Sequence, residues 1–367
     1  MAFFPRLRRI LIPGFVFQSV VIAGGYGTGR ELVEFFLREG PRGGLLAMGL
    51  STLLWSLVCA VTYELARVTG AFDYRSFFKG LLGPGWMVYE AAYLIFMLVI
   101  LAVIAAASGA LLQETFSLPY WVGVGGIMVA VGTLVFAGTK LIEGVMAGWS
   151  VVLYGAYFTL FIWCMARFGG ETLGAFRAPV SGAGWGMAGL RYAAYNVALI
   201  PPLLFSVRHL NSRRETLLAG ALAGPIAMLP GLMFFMAMVG QYPGILERPV
   251  PANFLLETLG SRGFQIVFQV VLFGTLIETG TGLIHGMNER IAHVYQERGK
   301  AMPGLARPIL ALALLVAGTV LAGVGLVDLI ASGYGTPTWV FLLVFVLPVL
   351  TLGVWRIRKP PPGAVPA

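Results

Sequence analysis

Apolar residues run along this chain in long blocks that are separated by short polar or Gly-rich intervals. Ten blocks are long enough for a helix to cross a hydrocarbon layer of about 30 Å, and each ends near Gly, Pro or a charged residue. They cover residues 11–37, 45–66, 86–112, 121–138, 141–166, 187–207, 217–239, 264–284, 308–327 and 339–355. The pattern predicts an all-α polytopic membrane protein, with about ten transmembrane helices in a single transmembrane domain over residues 1–367.

The composition supports lipid as the main solvent. Hydrophobic residues make up 58% of the chain and charged residues only 11%, which is too little charge to cover a soluble surface. The net charge of +9 does not indicate a nucleic-acid partner, because the basic residues flank the apolar blocks instead of forming a stripe with interleaved aromatics. Most of the 25 Lys and Arg residues fall on the side of the N-terminus, which predicts an integral protein of a prokaryotic cytoplasmic membrane with both termini cytoplasmic.

The predicted spans divide into two sets of five, residues 11–168 and 187–357, and an odd number of spans per set inverts the second set relative to the first. Gly and Pro cost about 1 and 3 kcal/mol in a helix interior. The four Gly residues within 24–29 and the adjacent Pro201 and Pro202 therefore predict breaks in the first and sixth spans. Lipid cannot satisfy the freed main-chain groups, so matched breaks indicate a binding site in a polar cavity. Close helix packing at Gly and simple kinks at Pro are the alternative explanations.

Three short motifs accompany these breaks, GGYGTGRE at 24–31, YNVA at 195–198 and TLIETG at 275–280. With them the chain resembles the amino acid, polyamine and organocation (APC) transporter superfamily, and within it the uncharacterised YkvI-type membrane proteins. The resemblance covers essentially the whole chain and implies the leucine-transporter (LeuT) fold, a 5+5 inverted repeat with broken helices 1 and 6. The resemblance does not identify a substrate, because the function of the family is itself poorly defined. Family members commonly have Gln where this chain has Arg30.

The two breaks supply the candidate substrate site. Helix N-termini attract anions, and the outer half of the first helix is expected to begin near Thr28 and Gly29. In the superfamily this position resembles the site of an amino-acid carboxylate. Tyr195 and Asn196 are expected to approach from the sixth helix, although simple packing explains Tyr195 equally well. The predicted substrate-binding residues are Gly24, Gly25, Tyr26, Gly27, Thr28, Gly29, Arg30, Tyr195, Asn196 and Leu199.

Glu278 lies inside the eighth predicted span, where a charge costs about 2.5 to 3.5 kcal/mol on insertion scales and commonly marks an ion or proton pathway. At about 100° per residue it shares a polar helix face with Thr275, Thr281, Gly282, His285 and Glu289. The resemblance implies a sodium site made by carbonyls of Ala23 and Tyr26 with Thr275, Glu278 and Thr279. A carboxylate can bind Na⁺ or hold a proton, so either ion is open, and His285 is a candidate proton relay. A Glu that is buried and hydrogen-bonded for structure alone is the alternative.

Arg30 is the second charge that falls inside a predicted span. Three partners are open for it: Glu278, a nearby carboxylate of Glu31 or Glu34, and a substrate anion. Other acidic residues lie near span ends, where pairing with a basic residue is the expected role. These are Glu64, Glu90 and Glu143, with Arg67, Arg75 and Lys140 as the candidate partners.

Together these features predict an ion-coupled secondary transporter, a symporter for an amino acid or a similar small organic solute, working by alternating access. A non-transporting ligand receptor or sensor on the same fold is the alternative. An enzyme is not expected, because no nucleophile and base pair, metal-ligand cluster or phosphate loop is present, and no cofactor beyond Na⁺ or H⁺ is predicted. Cys59 and Cys164 lie in apolar blocks and are typical of helix packing. The sequence leaves the oligomeric state open.

Overall fold

The computed structural model describes residues 3–137, 139–177, 184–297 and 299–359, and every regular element in these ranges is helical. Its α-helices are α1 (Phe3–Val21), α2 (Gly24–Gly27), α3 (Arg30–Phe35), α4 (Gly40–Thr69), α5 (Tyr74–Leu82), α6 (Trp86–Phe116), α7 (Tyr120–Ala137), α8 (Thr139–Ala175), α9 (Trp185–Asn196), α10 (Arg213–Val239), α11 (Pro251–Leu259), α12 (Arg262–Glu297), α13 (Ala306–Ala322), α14 (Leu326–Ala331), α15 (Gly335–Phe341) and α16 (Val354–Arg358). The 3₁₀ helices are Leu37–Glu39, Gly83–Gly85, Val197–Leu199, Pro201–Val207 and Gly244–Glu247, and Leu342–Val346 and Val349–Gly353 are π-helical.

These helices account for the ten predicted spans. In the described ranges, six helices are long and apolar enough to cross a membrane, and one bent pair counts as a seventh span. The six are Arg30–Thr69, Tyr74–Phe116, Val152–Ala175, Arg213–Val239, Arg262–Ala292 and Pro337–Arg358, and the bent pair is Trp185–Leu199 with Pro201–Val207. Two shorter apolar helices coincide with the predicted fourth and ninth spans, and the predicted first span is divided among α1, α2 and α3. The prediction of an all-α membrane fold with broken first and sixth helices is confirmed.

Two groups of helices pack together around the broken spans. In the first group α4 packs on α9 and α10, and α1 packs on α10. In the second group α6 packs on α7 and α13, and α12 packs on α7. Two further helices join the groups, because α8 packs on α10 and α12, and α15 packs on α9 and α6. α1 belongs to the first group, whereas the short α2 contacts α6 and α12 of the second group, so the chain passes from one group to the other at the first break.

Several helices extend past the predicted spans or lie outside them. α8 continues to Ala175, past the predicted end of the fifth span at residue 166, with a kink at Phe168. α12 continues to Glu297, past the predicted end of the eighth span at residue 284 and through Gly286. α5 and α11 are short helices between spans that hydropathy does not predict. Asp73 caps α5 by accepting from the main-chain N–H of Ser76 at 2.8 Å.

Pro230 lies inside α10 and frees a main-chain carbonyl in the membrane interior. Proline has no N–H, so the carbonyl of Ile226, four residues earlier, lacks its helical partner. The side-chain amide of Gln18 on α1 donates to this carbonyl at 2.7 Å. Two other prolines inside α-helices free carbonyls that are paired in the same way. Pro225 frees the carbonyl of Ala221, which accepts from the Ser56 hydroxyl at 2.8 Å. Pro13 frees the carbonyl of Arg9, which lies 2.8 Å from His209 Nε2. Side chains from neighbouring segments thus pair the carbonyls that these prolines release.

Replacing Gln18 by Met keeps the side-chain length but leaves the Ile226 carbonyl buried without a donor. We expect the unfolding free energy in detergent micelles, measured by denaturant titration, to fall by about 1–3 kcal/mol. In a Pro230→Ala background the new N–H can pair with Ile226, so the same Gln18→Met replacement should cost clearly less. Equal costs in the two backgrounds would contradict a stabilising role for this hydrogen bond.

Candidate functional site

The first break is a single helical turn between two helices. α1 ends at Val21, α2 makes one turn, and α3 begins after Gly29. Gly29 has a φ of 83°, a left-handed conformation that a side chain would strain, so glycine suits this junction. Thr28 holds the turn by donating its hydroxyl to the carbonyl of Gly25 at 3.0 Å. The predicted unwinding is therefore only partial, and residues 24–31 are all buried inside the protein.

The sixth span breaks at the predicted prolines, where α9 gives way to 3₁₀ helix with a bend of 63°. Pro202 cannot donate to the carbonyl of Ala198, which instead accepts from the Tyr89 hydroxyl at 2.8 Å. In the first break the carbonyl of Gly27 accepts from the Tyr157 hydroxyl at 3.0 Å. Tyrosine hydroxyls on α6 and α8 therefore pair carbonyls at both breaks, as burial away from water requires.

Glu31 lies at the centre of the first break although it belongs to α3. Its carboxylate folds back against Gly25, where an added Cβ would collide with it. The residue is 2% exposed, and its Oε2 accepts from the Tyr195 hydroxyl at 2.8 Å. Tyr334 is a second hydroxyl partner of this carboxylate. Tyr195 thus joins the sixth span to the first through a carboxylate outside the predicted substrate-binding set.

Arg30 pairs beside the first break and not with Glu278. Its Nη2 contacts Glu34 Oε2 at 2.8 Å. Its Nη1 donates to the carbonyls of Leu246 and Arg248 at 2.8 and 3.1 Å. The residue is 1% exposed, so the guanidinium is buried in these contacts. Of the partners that the sequence leaves open, the nearby carboxylate is the one observed, and the guanidinium also ties α3 to the segment before α11.

A cavity of about 560 Å³ runs from the sixth-span break toward the predicted cytoplasmic side. Its lining includes four predicted site residues, Leu199, Glu278, Thr279 and His285. Arg290 lines it as well, and an α-helix rises about 1.5 Å per residue, so the cavity follows roughly 18 Å of α12 from Glu278 onward. The structure therefore brings three of the candidate ion residues, Glu278, Thr279 and His285, to the same cavity as Leu199 of the candidate substrate site.

Glu278 faces this cavity with its carboxylate available. Within the described ranges it makes no hydrogen bond and no ion pair, and Tyr154 is close enough for an electrostatic interaction. His285 lines the same cavity two turns further along α12. A half-buried carboxylate that no side chain neutralises is a strong candidate for binding a mobile cation or a proton.

The other predicted sodium ligands lie on two packed segments. The hydroxyls of Thr275 and Thr279 donate to carbonyls one turn earlier at 3.0 Å each, so each oxygen keeps lone pairs for a cation. The first break, which carries Ala23 and Tyr26, reaches this helix because α2 packs on α12. Hydroxyl, carboxylate and carbonyl oxygens are the ligands that a hard cation prefers, so the residues present fit a sodium ion.

Not all of the predicted polar site residues line the cavity. Gly282 lines the cavity, whereas Thr281 is fully buried and its hydroxyl has no hydrogen-bond partner in the described part of the chain. Asn196 donates from its side chain to the carbonyl of Tyr192 at 3.0 Å, inside its own helix. The side chain of Glu289 lies outside those that the structure describes. The predicted polar face of α12 is thus divided between the cavity and the protein interior.

An ion pair stands at the far end of the cavity, between Arg290 Nη2 and Glu90 Oε1. Glu90 thus pairs with a basic residue, as the sequence predicts, but the observed partner is Arg290, which is not among the candidates Arg67, Arg75 and Lys140. Arg290 reaches it because α12 continues beyond the predicted span. Glu64 pairs with Arg67 at 2.8 Å as predicted, and the side chain of Glu143 lies outside the described set.

Two residues of the first-break site are absent from the predicted set, Glu31 and Tyr334. Glu31 has a signal in the sequence, because it is a carboxylate in an apolar span directly after the Gly-rich break. Tyr334 has none, because a tyrosine near the start of a span is typical of the membrane interface. Only the fold brings its ring to 4.6 Å from that of Tyr195, measured between centroids.

Comparison with known proteins supports the fold. No family model matches the chain. The chain is 22% identical over 287 residues to the uncharacterized membrane protein YkvI of Bacillus subtilis, a match that covers 76% of this chain and 79% of that protein. This similarity agrees with the assignment of the chain as an integral membrane protein.

Three solved structures share the architecture. A Na⁺-coupled sialic acid symporter in a substrate-bound outward-open state matches with a TM-score of 0.51 at 12% identity, over 93% of this chain and 85% of that one. The manganese transporter of Eremococcus coleocola matches with 0.50 at 14% identity, over 98% and 88%. Mhp1, a nucleobase-cation-symport-1 family transporter with bound bromovinylhydantoin, matches with 0.51 at 12% identity, over 96% and 93%. All three are transporters rather than enzymes. The chain has the LeuT-type fold, a 5+5 inverted repeat with broken helices 1 and 6.

Replacing Arg30 by Gln should loosen α3 and the segment before α11, because breaking a buried ion pair commonly costs about 3–5 kcal/mol. Arg38→Gln is the matched control, since Arg38 contacts the same Glu34 at 2.9 Å from an exposed position, where a pair contributes about 0–1 kcal/mol. Deuterium exchange of the amides in residues 246–254 is expected to accelerate in Arg30→Gln and to stay unchanged in the control. Indistinguishable exchange in the two variants would rule out this role for Arg30.

Proposed function

We propose that this protein is an ion-coupled secondary transporter of a small organic solute, an amino acid or a similar compound. The solute binds at the two helix breaks, and Na⁺ or H⁺ binds at Glu278. In this proposal the chain belongs with the APC-type transporters of the LeuT fold, and residues 11–168 and 187–357 are its two inverted repeats.

One observation carries the proposal: a cavity of about 560 Å³ ends at the broken sixth helix and is lined by Glu278, whose carboxylate has no hydrogen-bond or ion-pair partner among the described residues. An intramembrane charge is costly, so a carboxylate without a protein partner favours a site that binds and releases an ion. Broken helices are tolerated at this depth only where they face protein or a polar cavity. A single central site beside such a cavity suits a transporter that opens to one side at a time.

An organic solute fits this chain better than a transition metal does. Within the described residues, no group of three His, Cys, Asp or Glu side chains could hold a metal ion. Two of the similar structures are described as binding or carrying organic molecules, sialic acid and a hydantoin. Their sequences are too distant to transfer either compound, so they support only the general class.

The proposed cycle assigns separate tasks to the two ends of the site. With both termini in the cytoplasm, the cavity beside Glu278 is the inward-facing vestibule, and Arg30 holds the outer side closed. A coupling ion shifts the balance of facing states only if it binds one of them better. Glu278 can provide that difference, because its carboxylate gains a neutralising partner when the ion binds and loses it when the ion leaves.

Replacing Glu278 by Gln should abolish ion-driven accumulation in proteoliposomes while leaving the protein folded. The test solute is first chosen by a thermal-shift screen of amino acids with and without Na⁺ at two pH values. Uptake is then measured under an imposed Na⁺ or H⁺ gradient. We expect uptake by Glu278→Gln to be at least about tenfold below that of the wild type, the effect of losing roughly 1.4 kcal/mol of ion interaction. Glu171→Gln, which changes an exposed carboxylate on α8 outside the cavity, is the control and should transport normally.

Each outcome of this experiment has a definite meaning. Unchanged gradient-driven uptake by Glu278→Gln would refute the coupling role of this residue. A solute that binds the wild-type protein tightly but is never accumulated under either gradient would refute transport and favour the receptor or sensor. The gradient that drives uptake in the wild type identifies the coupling ion.

A further inference from the structure

Glu31 is a buried acid at the first break that lacks a cationic partner within the described ranges. The neighbouring Arg30 is occupied by Glu34 and by loop carbonyls. A lone buried charge is strongly unfavourable, and the membrane interior offers little water to solvate it. The transport cycle proposed above does not use this carboxylate, because the coupling ion is assigned to Glu278.

The hydrogen bonds around Glu31 suit an ionised carboxylate. Such a group only accepts hydrogen bonds and has about four lone-pair positions. The hydroxyls of Tyr195 and Tyr334 take two of them, and the Tyr195 bond measures 2.8 Å. Among the described residues no other group donates to this carboxylate, so its remaining lone pairs suit a ligand that brings both a positive charge and N–H donors. A primary or substituted ammonium group has these two properties.

Aromatic rings pack on the two tyrosines that hold the Glu31 carboxylate. The rings of Tyr195 and Tyr334 lie 4.6 Å apart between centroids. Phe35 and Phe96 pack on Tyr195 at 5.4 and 5.9 Å. Ring faces attract ammonium groups, whereas a hard inorganic cation needs several oxygen ligands and would find only the carboxylate and the two tyrosine hydroxyls in this cluster. The cluster of Glu31 and these four rings therefore has the composition of an ammonium-binding site.

The cavity gives a ligand a route to this cluster. Leu199 lines the cavity, and Tyr195 lies one helical turn before it on the sixth span. On α6, Met97 lines the cavity and its neighbour Phe96 packs on Tyr195. The inner end of the cavity is thus separated from Glu31 by a single layer of side chains.

We propose that Glu31 binds a cationic amino group of the transported solute, with Tyr195 and Tyr334 orienting the carboxylate and the surrounding rings enclosing the ammonium. This inference rests on the proposed function, since it names the chemistry of the same substrate site. It narrows the substrate class to amines, including amino acids with a free amino group. It excludes solutes whose only charge is negative.

The test measures ligand binding to the full-length protein in detergent by thermal shift and titration. The probes are the methyl esters of L-leucine and L-phenylalanine, which are cations, and the N-acetyl derivatives of the same amino acids, which are anions. We expect the esters to stabilise the wild-type protein and the N-acetyl compounds to have no effect. In Glu31→Gln the ester affinity should fall by about tenfold or more, the scale of a lost charge-assisted hydrogen bond. Glu31→Asp keeps the charge and should retain the ester preference at lower affinity.

Glu257→Gln, an exposed carboxylate change on α11, is the control and should bind the esters like the wild type. Undiminished ester binding by Glu31→Gln would overturn the proposal. So would a wild-type protein that responds to the N-acetyl compounds or to Na⁺ alone but not to the esters, a result that needs no variant to fold. Ester binding without accumulation in proteoliposomes would instead refute transport and still support the ammonium site at Glu31. Gradient-driven accumulation of an N-acetyl compound would support transport and refute only the ammonium site.

Discussion

The hydrocarbon interior of a membrane cannot pair main-chain N–H and C=O groups, so every interruption of a spanning helix needs a partner from the protein. This requirement is met repeatedly here. The carbonyls freed by Pro230 and Pro202 accept from Gln18 and Tyr89, and the carbonyl of Gly27 accepts from Tyr157. Each of these bonds joins segments that are distant in sequence. The interruptions therefore help to fix the arrangement of the helices instead of weakening it.

The same constraint explains where polar chemistry can sit. Two carboxylates lie near the helix breaks in different surroundings. Glu31 is enclosed by tyrosine hydroxyls, whereas Glu278 faces the cavity without a partner in the described ranges. One environment suits a ligand that brings its own charge and hydrogen-bond donors, and the other suits an ion that exchanges with water. In the proposed mechanism, solute binding and ion binding therefore take separate places, because Glu278 lines the cavity and Glu31 does not.

Local features made the spans and their breaks predictable, because hydropathy, Gly clusters and adjacent prolines act through neighbouring residues. Tertiary partners were not predictable in this way. The carbonyls that Arg30 contacts belong to Leu246 and Arg248, which are 216 and 218 residues away in sequence, and Tyr334 reaches Glu31 from just before α15. α5 and α11 were not predicted, because short helices between spans produce no long apolar block in the sequence. Glu31 is a charge inside an apolar span and was therefore detectable, but its neighbour Arg30 offered a local ion pair as a sufficient explanation for it.

The central claim is that the helix breaks adjoin a chamber that water enters from one membrane face. Leu199→Cys tests it directly, because Leu199 lines the cavity and the native Cys59 and Cys164 are buried. A membrane-impermeant maleimide applied to each face in turn should label Leu199→Cys from the cytoplasmic face, and it should not label Val270→Cys, whose side chain is 57% exposed on the outside of α12. Absence of labelling at Leu199→Cys from both faces would contradict the claim.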